Sequence, residues 1–344
     1  MKIVCVCRGY PTHRPGGMLF VCQDRAEALV RKGLEVHVLT TGLRPNQLLV
    51  QEVNGVVVHH LACTPTDYTN AFAEGCARLC NELHPDIIHL DSVDFSRPWW
   101  RKRPGNPACI AVTMHGFETG AFLTHWNMYR CGCSKQAPEK FPAKQIKEHS
   151  DLMEKTFDRV IAISWHEHWM LTDIYGLMDV SLIYNPIHRD FFARPIAPLP
   201  EERKFLCAAI SGHTERGFDI AEKAAKLAGI PLEKLSNISR SQMPARLDAC
   251  TGVVLPTFYS QGFDLTVAEA LARGRPVIVT RTGSYWREYQ AGLRGIMPVR
   301  MADVGAFATA MQYDSLLPGE QIALDAERFH PDRHAEHWLG VMTS

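Results

Sequence analysis

The 344-residue sequence predicts an α/β protein built from two doubly wound domains that face each other across a central cleft. Three observations lead there. Short apolar runs alternate with helical patterns from the first residue, which is how parallel strands covered on both faces by helices read. The alternation stops once, at NPIHRDFFARPIAPLPEERK, where Pro186, Pro195, Pro198 and Pro200 interrupt a stretch without periodicity, and it resumes beyond. The length also exceeds one ordinary domain and suits two.

Taken in order, KIVCVC opens the first sheet and a helix over about Met18 to Lys32 follows. EVHVLTT, GVVVHHL, DIIHL, CIAVTM, RVIAIS and VSLIY then add strands, giving an N-terminal domain at residues 1–185 and a linker at 186–202. The second series, 203–330, begins with KFLCAAI, a helix over about Phe218 to Ala228 and a compact stretch to Ile238. It continues with a helix ending near Ala249, then GVVLPT, an apolar helix carrying one acid, PVIVT and GIMPV. Residues 331–344 form a closing helix placed back toward the N-terminal domain. In doubly wound sheets ligands sit beyond the carboxyl ends of the strands, so the loops after these runs are where chemistry is expected.

Composition narrows the functional classes. Lysine plus arginine equals aspartate plus glutamate at 37 each, so no global field draws the chain to nucleic acid or to an anionic membrane, and anion binding must be local. Eleven cysteines, an odd number scattered through strands and helices, point to reduced thiols. No secretory segment follows Met1, and no apolar run approaches the roughly 18 to 20 residues that span a bilayer. The expectation is a cytoplasmic protein without a transmembrane segment.

The most informative stretch is SQGFDLTVAEALARGRPVIV, Ser260 to Val279. A glycine-containing turn runs into an apolar helix there. The unpaired N–H groups of a first helical turn, together with the helix dipole, favour a phosphate without needing lysine. This directs attention to Gln261, Gly262, Phe263, Asp264 and Leu265, and to Glu269 two turns on, whose carboxylate suits a sugar's hydroxyl pair. Gly16 and Gly17, just before the first helix, let backbone approach a phosphate or sugar, or simply make a tight turn. His115, at the end of CIAVTM and before Gly116, is placed to bond a ligand or its own loop. Arg216, beside Gly217 in ISGHTERGFD, can neutralise a diphosphate leaving group or lie solvated at the surface.

Residues 101–147 carry eight lysines and arginines against Glu118 and Glu139. With Trp99 and Trp100, the run starting at Arg101 makes an aromatic and basic patch suited to an anionic acceptor, a lipid head group or nucleic acid; a solvated charge run is the plainer alternative. Cys131 with Cys133, and His166 with His168, lack the paired spacing of a zinc site, so no metal is expected. Neither a serine nucleophile elbow nor a P-loop lysine motif occurs.

Together, YPTHRPGGM, PDIIHL, TMHG, VIAIS, NPIHRDFF, ERGFDIA and PTFYSQGFDLTVAEALARGRPVIVT resemble glycosyltransferase family 4. These are retaining enzymes of the Rossmann-like, two-domain B-type fold that use nucleotide-activated sugars. The likeness covers most of the chain and implies a metal-independent hexosyl- or pentosyltransferase whose donor is a nucleoside-diphosphate sugar, with no further cofactor. Glu269 matches the second of the family's two glutamates, which binds the donor ribose; Gly16 and Gly17 match its glycine loop, and His115 the histidine near the transferred sugar. Arg216 stands in place of a diphosphate-binding lysine, keeping charge but changing geometry. Gln261 replaces the first glutamate, and Ser211 or His213 falls where a phosphate-binding arginine is expected.

The resemblance thus gives catalytic roles to His115, Gln261 and Arg216. It gives donor contacts to Gly16, Gly17, Ser211, His213, Arg216, Gly262, Phe263, Asp264, Leu265 and Glu269. Acceptor contacts fall to Arg14, Trp99, Trp100 and Arg101, with a saccharide, a lipid-linked molecule and nucleic acid all open, as is the oligomeric state. The second domain looks shortened between Gly229 and Met243, where the family has a further strand and loop. Because Gln261 and the missing arginine weaken the pattern, a sugar-nucleotide-binding or regulatory protein that has lost transfer remains the competing reading.

Overall fold

The computed structural model describes residues 1–11, 16–42, 48–61, 70–91, 108–116, 118–138, 140–208, 214–236, 238–260, 262–313 and 317–344. Among them the first sheet contains β1 (Lys2–Val6), β2 (Glu35–Thr40), β3 (Leu49–Val53), β4 (Val56–His60), β5 (Ile87–Leu90), β6 (Cys109–Met114), β7 (Arg159–Ala162) and β8 (Val180–Leu182). The spatial order is β3-β4-β2-β1-β5-β6-β7-β8. Helices α1 (Gly17–Arg31), α2 (Asn70–Leu83), α3 (Glu118–Arg130), α4 (Ala143–Thr156) and α5 (Trp165–Trp169) belong to this body.

The second sheet runs β10-β9-β11-β12-β13, all parallel, from β9 (Phe205–Ala208), β10 (Leu232–Leu235), β11 (Gly252–Leu255), β12 (Val277–Thr280) and β13 (Ile296–Val299). Its helices are α6 (Phe218–Ala228), α7 (Met243–Asp248), α8 (Leu265–Ala272), α9 (Gly283–Gln290), α10 (Val304–Gln312) and α11 (Gly319–Ala326).

Burial on both faces explains the continuous apolar runs. Val4 and Val6 of β1 enter one core with Leu90, Val112 and Met114, while Ile3 and Cys5 enter the opposite core with Val38 and Leu29. The same period of two divides Val253 and Leu255 from Val254 in β11. One edge of each sheet departs from that pattern. β3 pairs antiparallel with β4 through a two-residue turn, where Asn54 at φ 52° and Gly55 at φ 81° take the left-handed geometry of a hairpin. β10 lies in the stretch that looked shortened and pairs with β9; its LEKL sequence is polar because an edge strand is only half covered.

The closing helix α12 (Pro331–Thr343) packs on the first body, not the second. Trp338 and Ala335 enter the core shared by β1, β2 and α1, Arg31 pairs with Asp332 at 2.8 Å, and Arg159 Nε donates to the Val341 carbonyl at 3.0 Å.

Two buried arginines fix the proline-rich linker. Arg273 donates to the carbonyls of Phe191, Arg194 and Pro195 at 2.7 to 3.0 Å and pairs with Asp248 at 2.8 Å. Arg275 donates to the carbonyls of Ala197, Pro198, Leu247 and Asp248 at 2.7 to 3.0 Å. Between them Gly274 at φ 66° leaves no room for a Cβ, which would sit 2.7 Å from Ile196 Cγ2 and 2.8 Å from the Gly319 carbonyl. Stopping the helix and clasping the linker are thus one task of ARGRP. Arg275→Met orphans four carbonyls and is expected to lower stability by about 3 kcal/mol, read from the denaturant midpoint at unchanged slope. Arg294→Met, which removes an exposed 3.5 Å pair with Asp325, should change it by less than about 1 kcal/mol.

Candidate active site

The cleft is built from the carboxyl ends of β1, β6, β9 and β11. On the second body, the segment after β11 reaches Gly262 at φ 69° and then Asp264, which caps α8 by accepting from the Thr266 amide at 3.0 Å. The other Asp264 oxygen takes the Arg216 guanidinium. Arg216 ends a short turn after β9, held against β11 by Gly217 at φ 67°, where a Cβ would run into the Pro256 carbonyl. Its guanidinium also lies 5.0 Å from the Tyr259 ring centroid, and the Tyr259 hydroxyl donates to Glu215 at 2.7 Å. Burial opposes ionisation of Asp264, but Arg216 and the Thr266 amide outweigh it and hold the carboxyl below its ordinary range. The anion position at the start of α8 therefore contains a carboxylate of the chain itself, neutralised by the arginine expected to meet a diphosphate.

Glu269 lies further along α8. It is buried, accepts no hydrogen bond from any described residue, and burial pushes its pKa up to about 8 despite nearby Arg240. Arg240, from the turn before α7, crosses the cleft to pair with Asp24 of α1 and stacks over Phe20 at 4.5 Å. Asp24 is itself buried and its pKa is pushed up to about 7, because desolvation exceeds what Arg240 returns. Two carboxyls and one guanidinium thus share the cleft around Glu269.

From the first body come the glycine loop and His115. A Cβ on Gly17 would lie 3.7 Å from Leu265 Cδ1, so the loop reaches van der Waals distance of the α8 N-terminus. A Cβ on Gly262 would lie 3.7 Å from the His115 carbonyl. His115 Nε2 sits 3.5 Å from Asp91 Oδ1, and Asp91 is fully buried and paired with Arg25 at 2.6 Å. The structure therefore brings Gly17, His115, Gly262, Asp264, Leu265, Arg216 and Glu269 to one cleft, with Gly16 capping α1 beside them.

A polar seam closes the cleft. Asn127 Nδ2 donates to Ser260 Oγ at 2.8 Å and to the Phe258 carbonyl at 3.3 Å, the Ser260 amide donates to Thr124 at 3.2 Å, and His166 Nε2 lies 2.9 Å from the Ser260 carbonyl. Glu167, wholly buried, accepts from the Gly262 amide at 2.9 Å and from the Ile163 amide at 3.1 Å, while Ser164 caps α5 by accepting from the Glu167 amide.

Two of the expected donor residues are already engaged within the chain. Gly262 has left-handed backbone and its N–H donates to Glu167. Phe263 faces inward, stacked on Phe329 at 5.2 Å and against Tyr285 at 6.1 Å. Arg14, Trp99, Trp100, Arg101, Ser211, His213 and Gln261 lie outside the described residues. Asp24, Arg240, Thr124, Asn127 and Glu167 also line or hold the cleft; of these only Glu167 carries a sequence signal, the S-x-x-E spacing of Ser164 and Glu167 that marks a helix start.

Among the described residues, the potential ligand atoms of Cys7, Cys22 and Asp91 lie within 4.8 Å of one another. Asp91 is engaged by Arg25, and the hydrogen bond to Cys7 together with burial holds the Cys22 thiol protonated, an arrangement that disfavours a cation.

Residues 15–191, from the glycine loop through His115 to the linker, match the model of Glycosyltransferase Family 4, and residues 188–313 match that of Glycosyl transferases group 1. The chain belongs to glycosyltransferase family 4. No curated protein matches it. Among solved structures, a glycosyltransferase from Rickettsia africae ESF-5 superposes with a TM-score of 0.71 at 13% identity, covering 99% of this chain and 97% of that one. Sucrose-phosphate synthase from Thermosynechococcus elongatus gives 0.69 at 17%, covering 99% and 94%. Anabaena HepE in complex with UDP and glucose gives 0.68 at 13%, covering 100% of each. These likenesses establish the B-type, Rossmann-like fold of the family. No helix among the described residues is long and apolar enough to cross a membrane.

The seam makes closure depend on pH. Burial pushes Glu167 up to about 8, and a raised carboxyl contributes stability that is full below its unfolded pKa of 4.5 and lost as pH rises through the folded value. Glu167→Gln keeps an acceptor for Gly262 without titrating. Between pH 6.5 and 8, above the range where burial-depressed His166 (about 4) titrates, this variant should lose up to about 1.4 kcal/mol less stability per pH unit than the parent, measured by denaturant unfolding.

Proposed function

We propose that the protein is a retaining glycosyltransferase that moves a hexosyl or pentosyl group from a nucleoside-diphosphate sugar to an acceptor hydroxyl, without a metal, in the cytoplasm. The observation that carries this is Glu269: a largely buried residue whose carboxyl accepts no hydrogen bond from any described residue, with Arg240, Asp264 and Asp24 as its charged neighbours. A carboxyl left free of protein donors at such a position can accept from a ribose hydroxyl pair without breaking a bond within the chain. Support comes from relatives of the same fold: Anabaena HepE in complex with UDP-glucose, and starch synthase IV of Arabidopsis thaliana bound to ADP and acarbose.

In this reading the diphosphate takes the place of the Asp264 carboxylate as the partner of Arg216. The guanidinium turns from one anion to the other, and with the dipole of α8 it stabilises charge developing on the leaving group. His115, steadied by Asp91, faces the transferred sugar, and Gly16 and Gly17 allow backbone close to the donor. Ser211, His213 and Gln261 complete the donor side, while Arg14, Trp99, Trp100 and Arg101 serve the acceptor. The leaving diphosphate helps to deprotonate the acceptor hydroxyl, which gives front-face attack and retention, and the seam excludes water.

A second reading, nucleotide binding without transfer, is favoured by one observation: Asp264 already neutralises Arg216. The two separate cleanly. Under transfer, Arg216→Ala removes turnover, and Asp264→Asn, which retains the cap on Thr266, tightens UDP-glucose binding about tenfold by removing the competing charge. Under binding alone, no acceptor is glycosylated by any variant.

Glu269→Ala should weaken UDP-glucose binding by about one to two decades in calorimetry. Because ribose hydroxyls favour the ionised carboxylate and Glu269 titrates near 8, affinity should rise by up to tenfold per pH unit from 6 to 8 and then level off. Glu269→Gln should flatten that rise. A pH-independent affinity in the parent would contradict the assignment.

A further inference from the structure

Cys131 and Cys133 flank Gly132 just past the end of α3 and take no part in the cleft chemistry. Gly132 is exposed and left-handed at φ 74°, and a Cβ there would touch nothing, so the turn has room to rearrange. Residues two apart around such a turn fall within the roughly 4.4 to 6.8 Å that a disulfide spans between Cα atoms. The two thiols are free and hydrogen-bonded to each other.

Their surroundings differ. Among the described cysteines Cys133 is the one exposed thiol, whereas Cys5, Cys80, Cys207 and Cys250 are buried and pushed up to about 12. Cys131 is half-buried: its Sγ donates to the Asn127 carbonyl at 2.6 Å, and with Met128 it packs against the core of the second body around Phe258. Burial, and then the Cys133 thiol, hold it above its ordinary range. Asn127, one helical turn earlier, fastens the first body to Ser260 and to the Phe258 carbonyl. Cys131 therefore supports the part of α3 that carries the seam.

We propose that Cys133 and Cys131 form a modification site for a low-molecular-weight disulfide of the glutathione type, and that oxidation there loosens the seam. The exposed Cys133 thiolate attacks one sulfur of the small disulfide, whose S–S bond breaks and releases one thiolate. The Cys131 thiolate then attacks Cys133 Sγ, the mixed S–S bond breaks, and the second small thiolate leaves. Two protein thiols are oxidised and one disulfide is reduced to two thiols, which take the two protons through solvent. An accessible thiol beside a resolving one is the arrangement of a redox sensor, and disulfides formed in reducing compartments are mostly of this transient kind. Once the bond closes, Cys131 Sγ turns to Cys133 and leaves both the Asn127 carbonyl and the second-body core. Loss of one hydrogen bond raises the opening equilibrium of the seam about fivefold.

The test treats the reduced, folded chain with oxidised glutathione, traps remaining thiols with N-ethylmaleimide, and combines peptide mass spectrometry with hydrogen exchange. The peptide holding Cys131 and Cys133 is expected to lose two hydrogens and take no maleimide. Amides of Ser260 and Gly262, which donate to Thr124 and Glu167 across the seam, should exchange about fivefold faster, and dithiothreitol should reverse both changes. Cys131→Ser should stop at a mixed disulfide on Cys133, and Cys133→Ser should stay unmodified, with seam exchange in both close to that of the reduced parent. Both thiols alkylated after treatment, either one paired with a different cysteine, or a Cys131–Cys133 bond that leaves exchange at Ser260 and Gly262 unchanged would overturn the proposal. So would glutathione captured on Cys131 in the Cys133→Ser variant.

Discussion

The turn from Ser260 to Gly262 belongs to the second body but is held by the first. Thr124, Asn127, His166 and Glu167 bond its backbone and side chain, and each such bond is worth about 1 kcal/mol net. Without them the N-terminus of α8 would still be capped by Asp264, but it would not lie against Gly17 and His115. The seam is what turns two separate sheet ends into one site. It also explains why Glu167 can be wholly buried as an acid: at neutral pH it is protonated, and it keeps its acceptor for Gly262 without a full charge.

The same electrostatic theme runs through the cleft. Asp24, Glu167 and Glu269 all sit where burial raises their pKa, with Arg240 the guanidinium bridging the cleft and Arg216 already matched by Asp264. Such a cleft is closed yet electrostatically unsettled. A ligand that supplies hydroxyl donors to Glu269 and a diphosphate to Arg216 answers both groups at once, whereas an apolar ligand answers neither. That complementarity is stronger evidence for the donor class than the presence of a pocket.

How much of this could be read from residues alone follows from range and burial. Strands buried on both faces declare themselves as unbroken apolar runs, so β1, β6, β11 and β12 were legible, as was the helix of Glu269. The hairpin at Asn54 and Gly55 carries an Asn-Gly signal, but the half-polar LVQEV beside it does not read as a strand. β10 had no such signal, since an edge strand of Leu, Glu, Lys and Leu resembles a loop. Arg273 and Arg275 look like surface residues ending a helix; only three dimensions show the carbonyls they gather. Asp24 and Arg240 are 216 positions apart, and no local pattern links them. Of the residues that meet at the cleft, those on loops after strands could be expected from topology, while those that hold the loops come from helix faces whose orientation the sequence does not specify.

The central claim is that α8 receives a nucleoside diphosphate, with Glu269 on its pentose and Arg216 on its phosphates. A crystal structure of the chain with UDP-glucose tests it most directly. The account predicts both ribose hydroxyls within about 3 Å of the Glu269 carboxylate and the Arg216 guanidinium turned from Asp264 to the diphosphate. A nucleotide bound elsewhere, or one in the cleft with Glu269 untouched and the Arg216–Asp264 pair intact, would contradict it.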